Sequence, residues 1–320
     1  MKYLNVKGSN LKFSQISLGT MRIQRKEKDA EGNKVYIGKP IEEVEELIKT
    51  AIDLGINVID TADIYGHGLS EELIGKVIKR NPELREKMIL QTKCGVVSNK
   101  IGTYYNTKKE YILKCVDDSL KRLNTDHIDV LLLHKPDPLY DPKGITEAFN
   151  ELYESKKVLN FGVSNFTSLQ IELIQKYCKQ EIAFSQMQFS IAHSLMIDSE
   201  VNVNTKGEYS ADYDSGILDY CRLNDICMQA YSVVQGDGGT FINNPKYEAL
   251  NIKMDELAKK YNTNKNAIAL AWILKHPANI MPIIGTTSCT HLKESLEALN
   301  FEITRQEWFE LYVACEKPLP

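Results

Sequence analysis

Eight short, nearly continuous apolar runs recur along the chain, at residues 16–18, 57–60, 88–92, 128–133, 159–163, 183–187, 226–231 and 279–284. A strand buried on both faces reads this way, because neither face meets water. Between the runs the apolar spacing changes to three and four. Val44, Leu47, Ile48, Ala51 and Ile52 fall on one helical face, with Pro40 before them and Gly55 after, which suits a helix start and stop. Ile112, Val116, Leu120 and Leu123 repeat the pattern. Further helices are predicted near 70–80, 145–156, 167–178, 214–222, 247–261, 265–275, 289–298 and 304–315. Alternation of strand and helix implies parallel strands with right-handed crossovers. Eight such units predict an α/β fold, a closed (β/α)8 TIM barrel, which takes roughly 250 residues. An open doubly wound sheet would carry a Gly-rich turn after its first strand. Here that turn reads GTMRIQRKEKD, with no GxGxxG.

The chain has 320 residues, and no Pro/Gly/Ser-rich linker divides them. Residues 1–320 are therefore read as a single barrel domain. The surplus over a minimal barrel has three expected homes. Residues 3–14 suit an N-terminal hairpin, turning at 7–10, that closes the barrel floor. The polar stretches 24–39 and 198–213 suit long loops at the C-terminal mouth, and residues 304–312 suit a helix packed outside or beside that mouth. The net charge of −4, from 39 basic and 43 acidic residues without a basic block, argues against nucleic acid as a partner. No run of 18 apolar residues is present, so no membrane span is expected, and the first residues lack the apolar core of a secretory signal. Seven scattered cysteines without a CxxC pair suit a reducing cytoplasm rather than a disulfide framework. Six histidines without HExxH give no expected metal site.

In a barrel, chemistry sits at the carboxyl ends of the strands. The successive runs end at Asp60, Lys93, His134, Ser164 with Asn165, Gln186 with Gln188, Tyr231 with Ser232, and Gly285 with Thr286 and Thr287. Each alone has an ordinary structural reading. Lys93 suits the solvated start of a loop, and Asp60 a turn or cap residue. Converging on one mouth, an acid, a lysine, a histidine and the nearby Tyr65 form a proton-transfer set. A free phenol has a pKa of about 10, and a neighbouring ammonium lowers it. Lys93 is expected to exert that effect, with Asp60 holding Lys93 and His134 orienting a carbonyl oxygen. A phenol so placed is worth about 10²–10⁴-fold as a general acid. Side chains supply no hydride, so a nicotinamide cofactor would have to.

The four motifs DTADIYG, QTKCG, LLLHKPDPL and GVSNF, in this order, resemble the aldo-keto reductases. The resemblance runs from SLGT at 17–20 to TRQEWFELY at 304–312, and the forms KCG, HKPDPL and IMPIIGT look most like a bacterial single-domain branch of poorly characterised oxidoreductases. It implies NADP(H) bound in extended form, and reduction of a small-molecule aldehyde or ketone. It casts Asp60, Tyr65, Lys93 and His134 as the catalytic tetrad, with Tyr65 as proton donor. It assigns the nicotinamide carboxamide to Ser164, Asn165 and Gln186, the ring stack to Tyr231, the pyrophosphate to Ser232, and the cofactor or substrate edge to Gly19, Thr20 and Met21. The segment Gly285, Thr286, Thr287 and His291 precedes and opens a helix, a ready anion site. Relatives commonly place an arginine where His291 stands and some carry a lysine near Gly285. Neutral histidine is a weaker phosphate partner than a guanidinium. NADPH is thus the expectation, with NADH open and Lys293 or Ser288 available to compensate. Two other readings stay open: a non-catalytic NADP(H)-binding sensor or regulatory subunit, and a Schiff-base aldolase using Lys93. The oligomeric state stays open too, a monomer included.

Overall fold

A computed structural model describes residues 1–29, 31–99 and 101–320. Eight parallel strands close a barrel: β1 (Ser17–Gly19), β2 (Val58–Asp60), β3 (Ile89–Cys94), β4 (Ile128–Leu133), β5 (Val158–Ser164), β6 (Ile182–Gln188), β7 (Cys227–Tyr231) and β8 (Met281–Ile284). They pair in chain order, and β8 returns to β1 through Ile283 opposite Ser17 and Ile284 opposite Leu18. Each predicted run thus holds a strand, with ends shifted by a residue or two. The helices are α1 (Ile41–Asp53), α2 (Leu69–Arg80), α3 (Lys109–Leu123), α4 (Pro142–Glu154), α5 (Ser168–Gln175), α6 (Leu195–Val201), α7 (Ile217–Leu223), α8 (Glu248–Tyr261), α9 (Lys265–Leu274), α10 (Cys289–Leu296) and α11 (Arg305–Ala314). Local chemistry sets their ends. Gly55 takes φ +86° just past α1, and Asp141 caps α4 with Pro142 as its first residue. Capping boxes of Thr167 with Gln170 and Thr304 with Glu307 start α5 and α11.

Strand alternation divides the core in two. Leu90, Leu131, Leu133, Val163, Met228 and Ala230 face the helices. Val58, Ile89, Val130, Phe184 and Met281 form a separate cluster inside the barrel, near the strand starts. The hairpin of Tyr3–Asn5 with Lys12–Ser14 closes this end, as expected. Its Phe13 is fully buried and meets the Phe184 ring edge-on at 5.1 Å. On the inner face β3 therefore reads Ile89, Gln91, Lys93 from floor to mouth: apolar, amide, cation. At Gly162 of β5 a Cβ would lie 2.6 Å from the Phe184 carbonyl, so only glycine lets β5 and β6 approach so closely.

The surplus segments hold more structure than their polarity suggests. Residues 24–39 were expected as a loop; Gln24–Lys28 and Lys34–Gly38 instead pair as an antiparallel hairpin. Its first strand, QRKEK, is entirely polar and leaves no apolar alternation to read, although Tyr36 of the second meets the His67 ring edge-on. Of residues 198–213, the first belong to α6, and Glu208–Ser210 forms a short 3-10 turn. A second hairpin follows β3, Val96–Ser98 with Thr103–Tyr105, and a third follows β7, Gln235–Gly236 with Gly239–Thr240. Helix α11 packs outside, along α8, and reaches α9 through one aromatic pair. Trp272 and Trp308 stack at 4.7 Å, and each indole Nε1 donates to the other's carbonyl at 3.1 Å. Among the described residues no helix is long and apolar enough to cross a membrane.

Phe13→Ala is expected to cost about 3–5 kcal/mol of stability, as for a large side chain deleted from a core that cannot collapse. Urea unfolding measures it. A loss below about 1 kcal/mol would show the floor hairpin to be a surface strap rather than part of the core.

Candidate active site

Lys93 is fully buried on the inner face of β3. Its Nζ donates to Asp60 Oδ1 and Oδ2, both at 2.8 Å, and to the Thr61 carbonyl at 2.7 Å. The Tyr65 hydroxyl lies 3.4 Å away. Short turns from Asp60 to Tyr65 make this possible. The Asp63 amide donates to the Lys93 carbonyl at 3.1 Å, and the Tyr65 amide to the Ala62 carbonyl at 3.1 Å, folding the chain over the end of β3. His134 follows β4, its amide bonded to the Cys94 carbonyl at 2.8 Å, and its ring meets the Tyr65 ring edge-on at 5.8 Å. The four groups proposed from the sequence thus share one mouth.

Their electrostatics differ from the sequence expectation in one respect. Burial, the largest single influence, would depress the Lys93 ammonium, but Asp60 and Tyr65 together outweigh it and the net direction is upward. Tyr65 was expected to fall under the influence of Lys93. Burial instead raises it above the ordinary phenol value; Lys93 opposes this, and Asp60 adds to it. The ammonium still favours the phenolate, but its charge is shared with a carboxylate at 2.8 Å, and burial outweighs its pull. Tyr65 therefore keeps its proton at neutral pH. His134 is pushed down to about 3, by burial first and then by Lys93 and Lys135, and is neutral. Its Nδ1 is buried without a hydrogen-bond partner among the described residues.

Beside Tyr65 runs a cleft of about 90 Å³ lined by Gly19, Met21, Arg22, Asp60, Tyr65, Tyr231, Ser232, Val233, Val234, Gln235, Ile283 and Gly285. Of the twelve cofactor contacts expected, five line it: Gly19, Met21, Tyr231, Ser232 and Gly285. Thr20 is fully buried; its hydroxyl donates to the Asp60 carbonyl at 2.9 Å, so it holds β1 to β2 rather than facing the cleft. Tyr231 donates its hydroxyl to Asn165 Oδ1 at 2.7 Å, and Asn165 Nδ2 donates to Ser164 Oγ at 2.8 Å, which fixes the ring and the amide together. Gln186 directs its Nε2 inward to Asp60 and Gln229, so only its carbonyl oxygen is left for a ligand. Ser232 takes φ +57° and opens a tight turn closed by the Gln235 amide at 2.8 Å. The glycines at 236, 238 and 239 belong to the hairpin after β7, with Gly238 at φ +84° and Gly239 at φ +123°. Thr286 Oγ1 accepts from the Ser288 amide, Ser288 caps α10, and Thr287 follows on the same turn. His291 and Lys293 are exposed on α10, outside the cleft lining.

Sequence reasoning passed over Arg22, Gln91 and Gln229. Arg22 lines the cleft, pairs with no acid among the described residues, and has Nη1 3.5 Å from the Gly285 carbonyl. Its signal was visible: an arginine three residues past a strand-end glycine. Gln91 and Gln229 were hidden because an amide inside an apolar run reads as a loose strand position. The cleft offers a fixed aromatic ring in Tyr231, the tight turn opened by Ser232, and the Arg22 guanidinium.

The sequence matches the model of the aldo/keto reductase family over residues 15–312. It is 34% identical to "Uncharacterized oxidoreductase YcsN" of Bacillus subtilis, over 84% of this chain and 87% of that protein. It is 32% identical to a 6-dehydroglucose reductase of Novosphingobium aromaticivorans, over 87% of each. The fold superposes on a thermostable aldo-keto reductase crystallised with the inhibitor epalrestat, with a TM-score of 0.77 and 27% identity, over 98% of this chain and all of that one. With a family match over nearly its whole length, and relatives that are oxidoreductases, the chain belongs to the aldo/keto reductase family.

Proposed function

We propose that this oxidoreductase reduces a small-molecule aldehyde or ketone with NADPH, using Tyr65 as proton donor. The observation that carries the reading is the Tyr65 hydroxyl 3.4 Å from a lysine that Asp60 holds with both carboxylate oxygens. A reduced nicotinamide supplies hydride to the carbonyl carbon when bound. Tyr65, protonated and hydrogen-bonded, gives its proton to the carbonyl oxygen, and Lys93 stabilises the phenolate left behind. Neutral His134 presents a ring nitrogen to the same oxygen without adding charge. Tyr231, Asn165, Ser164 and the Gln186 oxygen would hold the nicotinamide end, and Arg22, Ser232 and Gly285 the phosphates. His291, Lys293 and Ser288 at the start of α10 would receive the 2′-phosphate, and NADH in place of NADPH remains the alternative. One barrel domain acting in the cytoplasm completes the reading.

The upward direction of Lys93 speaks against the Schiff-base reading, because a nucleophilic lysine must lose its proton. A non-catalytic sensor would bind cofactor and turn nothing over.

Tyr65→Phe is expected to lower carbonyl reduction by about 10²–10⁴-fold while cofactor still binds. Loss of reduced-cofactor absorbance with a panel of nitrobenzaldehydes reads the rate, and undiminished turnover would remove Tyr65 as the acid. Because burial raises Tyr65 and holds His134 near 3, reductive kcat should stay flat from about pH 6 to about pH 9 and fall only as the phenol ionises. An inflection near a pKa of about 6.5 that vanishes in His134→Phe would show a titrating histidine instead. Arg22→Met should weaken NADPH binding roughly tenfold, as for one charge-assisted hydrogen bond. Fluorescence titration checks this, and unchanged affinity would take Arg22 out of the site.

A further inference from the structure

Apolar side chains normally fill the middle of such a barrel. Here two glutamines from opposite walls meet there. Gln91 of β3 and Gln229 of β7 are both fully buried. Gln91 Nε2 donates to Gln229 Oε1 at 2.8 Å, and Gln229 Nε2 to Gln91 Oε1 at 2.9 Å, a closed reciprocal pair. The second proton of Gln91 goes to Asp60 Oδ1 at 2.6 Å. Gln186 joins from β6, donating to Asp60 Oδ1 at 3.1 Å and to Gln229 Oε1 at 3.0 Å. Gln229 Nε2 also approaches Met281 Sδ at 3.7 Å.

The carboxylate dictates the orientation of every amide. An ionised carboxylate only accepts, so Gln91 must turn its NH₂ toward Asp60. Gln91 then presents one N–H and one carbonyl to Gln229, which must answer with the complementary edge. Gln186 finds the Gln229 oxygen on that edge and must donate to it. Flipping any one amide would set donor against donor or oxygen against oxygen, so the network has one arrangement. It places three donors, from Lys93, Gln91 and Gln186, on Asp60 Oδ1. A lone aspartate carboxylate turns easily, because its terminal torsion is broad.

We propose that Gln91 and Gln229 are positioning residues for the Asp60–Lys93 pair: the reciprocal amides brace Asp60 from below, and Asp60 in turn holds Lys93 Nζ within reach of the Tyr65 hydroxyl. This rests on the reading of Tyr65 as the acid. Neither glutamine touches substrate or cofactor; both act through Asp60.

The test replaces both amides by apolar groups of similar size, Gln91→Leu with Gln229→Leu, in the full chain. Removing the two partners together leaves no orphan between them, and only one Gln186 N–H loses its acceptor. Single-turnover hydride transfer from preloaded NADPH to nitrobenzaldehyde should slow roughly 10–100-fold, the effect of a misplaced catalytic group. The NADPH dissociation constant should stay within about twofold, since the amides do not line the cleft. The double variant should lose no more than the worse single variant, because the pair works as one unit. If the double variant does not fold, Gln229→Leu alone reads the brace from the opposite wall with the Gln91–Asp60 bond intact. Val130→Ala, in the floor cluster, provides the comparison for a merely structural loss: lower Tm, unchanged single-turnover rate. A double variant that transfers hydride within about twofold of wild type would overturn the inference and leave the proposed reaction standing. If wild type itself transfers no hydride, the proposed reaction fails, and a crystal structure of the double variant decides the inference. Lys93 Nζ still held by both Asp60 oxygens at 2.8 Å would then overturn it, and a turned carboxylate would support it.

Discussion

A lysine and an aspartate sit together where almost no water reaches, and much of the molecule can be understood as the support they need. Burying two charges costs more than their attraction returns, unless geometry is close to ideal and every remaining lone pair and proton is used. Lys93 uses its protons on Asp60 and the Thr61 carbonyl and lies near Tyr65. Asp60 spends one oxygen on three donors. The hairpin plug, with Phe13 against Phe184, keeps water from rising through the floor. The pair is nearly neutral when seen from outside, so burial, the larger influence, raises the adjacent phenol against the pull of the ammonium.

That arrangement also shapes proton traffic. Lys93 has no solvent exposure, and the layer beneath it is closed by amides and then by hydrocarbon. The half-buried Tyr65 hydroxyl is the group that links this interior to the mouth. Exchange of the Tyr65 proton with solvent therefore runs through the mouth side.

The legible parts of the sequence were those under strong, local constraint. A strand packed on both faces must be apolar, so all eight runs declared themselves, and polar residues ending such runs stood out. The barrel and the group of Asp60, Tyr65, Lys93 and His134 follow from that contrast. Partner choice was not legible. Thr20 and Gln186 are polar residues at the right height, but Thr20 binds a strand carbonyl and Gln186 commits its nitrogen to Asp60. Gln91 and Gln229 lie 138 positions apart, and only closure of the barrel makes them neighbours. The direction of the Tyr65 shift depended on how far Asp60 cancels Lys93, a matter of ångströms. The hairpin within residues 24–39 escaped because its first strand, QRKEK, is entirely polar, although Asp29 and Gly32 mark its turn, with the Gly32 amide bonded to the Asp29 carbonyl at 3.0 Å.

Three small hairpins, after β1, β3 and β7, each pair only with themselves. None adds a strand to the barrel, so none shares its register. They rest on the scaffold through side chains: Tyr36 meets the His67 ring edge-on, and Ser190 donates its hydroxyl to the Gln235 carbonyl. Of their residues only Gln235 reaches the cleft lining. A lineage built on this frame can vary such loops without re-registering the barrel, while the costly buried charges below stay fixed.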